Sequence, residues 1–204
     1  MRATVALLSV WLAAPATGDE GEHHLRAGAA HFRAGRYEEA VVEFKVAAAL
    51  GAGHECPWYI AAALTRAGRN LDALEAFESA QRVAPESADA LFLYYRGIAC
   101  SDTQLVVCAA ESFERASKVS GPKISEQARR LSVEARVLLS AAPPRAAIDA
   151  LLTRAAEQTQ RARPTLALLF SREAAALASL RADRWREAEA GRRDAAVDAG
   201  SARP

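Results

Sequence analysis

Residues 35–50, GRYEEAVVEFKVAAAL, decide the fold, because the chain returns to them twice. A shift of 33 gives GRNLDALEAFESAQRVAP (68–85), with Gly68, Ala73, Phe77 and Ala80 falling on Gly35, Ala40, Phe44 and Ala47. A further shift of 36 brings Ala109, Phe113 and Ala116 into the same register. A period in the thirties with helical composition throughout is the mark of stacked helical hairpins, whose apolar faces are buried only by stacking. Val41, Phe44 and Ala48, and Leu74, Phe77 and Gln81, keep the i, i+3, i+7 spacing of one helix face.

Working outward, the first hairpin is predicted as helices over 20–34 and 36–50, broken at Gly35 and stopped by Gly51-Ala52-Gly53. The second follows as 54–67 and 69–84, broken at Gly68 and stopped by Pro85. The third is predicted over 86–101 and 104–120, turning at Ser101-Asp102-Thr103 and ending before Gly121-Pro122.

These residues resemble the tetratricopeptide repeat over about 21–121. Small residues recur in the first helix (Gly28, Ala61, Gly97) and the second (Ala40, Ala73, Ala109), followed by Phe44, Phe77, Phe113 and by Ala47, Ala80, Ala116. Pro85 matches the family's terminating proline; Ala52-Gly53 and Pro122 depart from it, as do His24 and Pro57 early in the first helices. The resemblance implies an all-α, right-handed solenoid of about five antiparallel helical hairpins. The three matching repeats lie over about 21–53, 54–87 and 90–122, within a unit of 19–121.

It also implies a peptide-binding concave groove lined by recurring first-helix positions. Those are Leu25, Ala29, Phe32 and Arg33; Trp58, Ala62, Thr65 and Arg66; and Tyr94, Ile98, Ser101 and Asp102. Of these, Leu25, Phe32, Arg33, Trp58, Thr65, Arg66, Tyr94 and Ile98 are the candidate binding residues. Aromatics give buried area at small entropic cost, and Arg33 and Arg66, at the same repeat position, can grip a carboxylate with paired bonds. The expected ligand is a protein or peptide with apolar anchors and an acidic group. Leu25 and Ala29 stand where chaperone-tail-clamping repeats carry lysine and asparagine, so that ligand is not expected.

Beyond Pro122, Ile124, Ala128, Leu131, Ala135 and Leu138 form an amphipathic stripe; Pro143-Pro144 and Pro164 restart helices. Near the end, Trp185, Ala188 and Ala195 stand where Tyr37, Ala40 and Ala47 do, with Arg192 replacing the phenylalanine. Residues 122–199 are therefore read as divergent or capping repeats, and 200–204 as a disordered tail.

The N-terminus reads differently. Arg2, the apolar run 3–14 and Ala14-Pro15-Ala16 have the pattern of a signal peptide cut after residue 16 or 18, too short for a comfortable span. A periplasmic or secreted location follows, and the arginine and alanine bias fits a GC-rich bacterial genome. A formal charge of +1 argues against nucleic-acid binding. The charge is uneven: 15 acids against 10 bases over 19–120, and 10 against 15 over 121–204. This suits contact between the halves, an anionic surface or simple solvation.

Cys100 and Cys108 occupy facing positions of the third hairpin, as a disulfide or as two buried thiols; Cys56 is left over. His23, His24, His31 and His54 lack the spacing of a zinc site, and neither a phosphate-binding glycine loop nor a nucleophile elbow is present. No metal, cofactor or catalytic role is expected. The function expected is a non-catalytic scaffold of an envelope complex, with a self-associating structural subunit or an enzyme using the C-terminal half as alternatives.

Overall fold

A computed structural model describes residues 17–85, 88–119, 122–141 and 143–201. Among them the fold is all-helical. In order come α1 (Thr17–Arg33), α2 (Tyr37–Ala49), α3 (Cys56–Arg66), α4 (Asn70–Val83), α5 (Ala90–Asp102) and α6 (Val106–Val119). Then follow α7 (Pro122–Ser140), α8 (Arg145–Gln160) and α9 (Pro164–Ser201). The proposed leader, residues 1–16, lies outside the described residues, as do residues 202–204 of the proposed tail.

The repeat signature is the core. Ala40, Ala73 and Ala109, Phe44, Phe77 and Phe113, and Ala47, Ala80 and Ala116 are all buried. Helices α1 and α2, α3 and α4, and α5 and α6 pair, and α3 packs on both α2 and α5. The close approach has a simple cause. A Cβ added at Gly28 would lie 2.6 Å from the Phe44 ring, and one at Gly97 2.5 Å from the Phe113 ring. The glycines therefore let each phenylalanine lie against the neighbouring backbone.

Each of these hairpins turns in one way. Arg36 N–H donates to His31 O and Gly35 N–H to Phe32 O; Arg69 to Leu64 and Gly68 to Thr65, and Leu105 to Cys100 and Gln104 to Ser101, repeat the pair. This pair of hydrogen bonds closes a helix end through one residue of positive φ. Gly35 (76°) and Gly68 (77°) accept that conformation freely, whereas the third turn places Gln104 there at 63°. The helix boundaries nonetheless agree with the expected ones to within a few residues. The largest shift is α5, which starts at Ala90 because Asp89 caps it, accepting from Phe92 N–H at 2.9 Å.

The C-terminal part does not continue the sequence of hairpins. Helix α7 lies on α6 and α5, while α8 pairs with α9, and α9 folds back onto α4 and α6. Leu138, the end of the expected α7 stripe, is accordingly 69% exposed. The segment of Trp185, Ala188 and Ala195, aligned above with the second helix of the first repeat, is part of one continuous α9.

Three polar contacts seat the α8–α9 pair. Arg163 bonds Asp72 and Glu75 of α4, both at 2.7 Å. Arg154 donates to Thr103 O and lies 4.3 Å over the Phe170 ring. Glu173, buried, accepts from the Val107 and Cys108 N–H groups at 2.6 and 3.0 Å, satisfying free donors at the start of α6. Arg163 with Asp72 and Glu75, together with Arg136 on Glu114, partly neutralises the charge difference between the halves inside the molecule.

Candidate functional site

The face carried by α1, α3 and α5 is built on small residues. Ala61, Ala62 and Ala63 of α3 are all buried, and this low relief lets rings from the flanking hairpins meet. Phe32 of α1 sits edge-on to Tyr37 (5.5 Å) and to Tyr95 of α5 (6.0 Å), and Tyr95 in turn to Tyr94 (5.8 Å). All four rings are half-buried.

Arg66 joins this cluster. Its guanidinium donates to the Tyr37 hydroxyl at 2.5 Å and lies 5.0 Å from that ring's centroid. The bond to Tyr37 raises the Arg66 pKa, so the side chain is a permanent cation; burial raises those of Tyr94 and Tyr95, so both remain neutral phenols. Arg33 is exposed and uses only its Nε, on Ala29 O at 3.3 Å. Both arginines thus retain N–H donors with no partner among the described residues.

Two of the expected groove residues belong elsewhere. Trp58 is fully buried, stacked on Phe92 (5.7 Å), tilted against Phe77 (6.1 Å), and donates its indole N–H to Ala84 O at 2.9 Å. It packs α3 against α4 and α5 and has no surface to offer a ligand. Thr65 is likewise buried, its hydroxyl donating to Ala61 O at 3.0 Å. Leu25 is half-buried against Ala47, Ala52 and Cys56, two helical turns before Phe32 on α1. Tyr94 and Ile98 are half-buried on α5, and Asp102, the third-repeat counterpart of Arg33 and Arg66, accepts from Asn70.

Sequence reasoning did not place Tyr37 and Tyr95 in this site. Tyr37 served only as a repeat marker, and nothing local distinguishes Tyr95 from Tyr94, which is one residue and about 100° of helix away.

Cys100 and Cys108 form a disulfide, Cα–Cα 5.8 Å, tying the end of α5 to the start of α6. Cys56 is free and buried, its thiol pKa raised chiefly by burial. His24 bonds Glu43 at 2.7 Å and His31 accepts from Arg36 at 2.9 Å, so these two histidines have separate partners. Among the described residues no helix is long and apolar enough to cross a membrane. Comparison of the chain with protein-family models, curated proteins and solved structures gave no match.

Proposed function

We propose that this protein is a non-catalytic protein-binding scaffold that holds a peptide or partner segment on the α1–α3–α5 face. The carrying observation is the half-buried cluster of Phe32, Tyr37, Tyr94 and Tyr95 beside Arg33 and Arg66, two cations with donors to spare. The rings supply rigid apolar area, and the guanidinium groups suit a carboxylate on the ligand. In this reading the three N-terminal hairpins are tetratricopeptide repeats of a right-handed solenoid, and residues 1–16 are the leader of an envelope or secreted protein. The recurring spacing and the glycine–phenylalanine contacts support the first part; the leader's composition supports the second.

The test is fluorescence anisotropy of the whole chain against a library of acidic peptides containing aromatic or branched apolar residues. Binding should weaken at least about tenfold in the Arg33→Ala, Arg66→Ala double variant, since a charged hydrogen bond contributes about 1.5–3 kcal/mol. Ligands that bind the variant as tightly as the native chain would remove the proposed face from consideration.

A second reading, self-association, draws on Val133, Val137 and Leu138 of α7, which are 57–69% exposed. Sedimentation equilibrium separates the two: a Val137→Glu variant that shifts the protein from dimer to monomer would favour it.

A further inference from the structure

We infer that the cleft between α4, α6 and α9 is a binding site for a small organic anion carrying two or more carboxylates. Two cavities of about 370 and 290 Å³ share Glu78, Gln81, Leu169 and Arg172, and so form one continuous cleft. The larger lobe alone is within the roughly 300–1,000 Å³ range of ligand pockets.

The free guanidinium donors of the lining carry the argument. Glu173 is engaged by the two N–H groups of α6, and Glu78 by Arg96, which also donates to Ser112. Three arginines from three helices remain: Arg82 of α4 in the smaller lobe, Arg115 of α6 in the larger, and Arg172 of α9 lining both. None of them has a hydrogen bond or ion pair among the described residues. Against them stands one unengaged carboxylate, Glu111, one turn before Arg115 on α6. The cleft thus holds four arginines against three carboxylates, and once the Arg96–Glu78 pair and the N–H-bound Glu173 are set aside, three arginines and one carboxylate keep their hydrogen-bonding groups free.

Arginine is the side chain that holds a carboxylate by two parallel bonds, and Arg172, shared by the lobes, has one further unpaired arginine in each. That arrangement suits a molecule with several carboxylates on a short carbon skeleton, the skeleton lying on Leu169 and Ala176. Inorganic phosphate concentrates its charge on one centre and cannot reach both lobes. The walls of this cleft share no arginine or aromatic residue with the peptide-binding face proposed above, so each reading stands or falls alone.

The experiment is isothermal titration of the full chain with citrate, with inorganic phosphate in parallel and sodium chloride adjusted to constant ionic strength. Citrate should bind saturably and at least about tenfold more tightly than phosphate. Arg115→Ala and Arg172→Ala should each weaken it about tenfold, the size expected for a lost charge-assisted bond. Arg172→Lys, which keeps the charge and loses the fork, should fall between. Glu111→Gln should tighten binding, an effect opposite in sign to that of the arginine variants. All three side chains are exposed and unpartnered, so unchanged far-UV circular dichroism should accompany every variant. No saturable binding at millimolar citrate, phosphate binding as tight as citrate, or affinity unaffected by Arg172→Ala would overturn the assignment.

Discussion

Replacing Gly97 with alanine should destabilise the protein, although alanine is the better helix former. The residue is buried in the interior of α5, where Gly→Ala ordinarily adds about 1 kcal/mol of stability. Here the new Cβ would stand 2.5, 2.6 and 2.9 Å from Cε1, Cδ1 and Cζ of Phe113. Carbon atoms rest at about 3.5–4.0 Å, so ring and helix must separate by about 1 Å. Phe113 is 2% exposed and touches Tyr94, so it has nowhere to swing. Overpacking of this kind costs about 1–3 kcal/mol, and a ring-face clash belongs at the upper end. Less the helix-propensity gain, the net loss should be about 1–2 kcal/mol. Urea denaturation followed by circular dichroism measures it. The second repeat is the internal control, since Ala61 already fills the equivalent position beside Phe77. A Phe113→Leu change should cost less in the Gly97→Ala background than in the native chain, because the two sites share one contact. A Gly97→Ala variant more stable than the native protein by the full propensity gain would refute the close approach of α5 and α6.

Three other perturbations have defined outcomes. Trp58→Phe leaves the Ala84 carbonyl without its donor and should cost about 1–3 kcal/mol in the same urea assay; an unchanged midpoint would place the indole outside the core. Reduction should add two hydrogens in intact-mass analysis and lower stability by about 2.5 kcal/mol, the loop-entropy value for a cross-link eight residues apart. No mass change would mean that Cys100 and Cys108 are thiols. Burial lifts the Glu173 pKa above the usual carboxylate range, against the pull of the Val107 and Cys108 N–H groups, with Glu111 adding to the rise and Arg96 opposing it. The native state therefore holds this proton more tightly than the unfolded chain does. Stability should rise as pH falls from the raised native value toward about 4.3, the unfolded value, and be flat above that window. Subtracting the profile of Glu173→Gln isolates this slope. It also removes the opposite contribution of Asp72, which Arg69 and Arg163 hold below its usual range despite burial. A difference profile flat between pH 4 and 7 would exclude the effect.

Much of the molecule was legible because its code is short-range. Gly28 and Gly97, the recurring alanines and the three phenylalanines each act within one hairpin, so their spacing along the chain is their spacing in space. The turns at Gly35 and Gly68 are equally local, and the third was legible only in position. Its left-handed residue is Gln104, which no rule of composition selects. The candidate face was legible in part. First-helix positions were identified, but Trp58 turned inward and Tyr95 outward, because the phase of a helix is set by what packs on its other side.

By itself the sequence determined that the N-terminal part is a run of helical hairpins and which small and aromatic residues bring each pair together. Only the tertiary structure decided that α8 leaves α7 to pair with α9 and that this pair closes back on α4 and α6. The contacts responsible, Arg163 with Asp72 and Glu75, and Glu173 with the start of α6, join residues 65–91 positions apart. No periodicity reaches across that separation: an arginine or a buried carboxylate reads the same in the chain whether it meets water or a helix end.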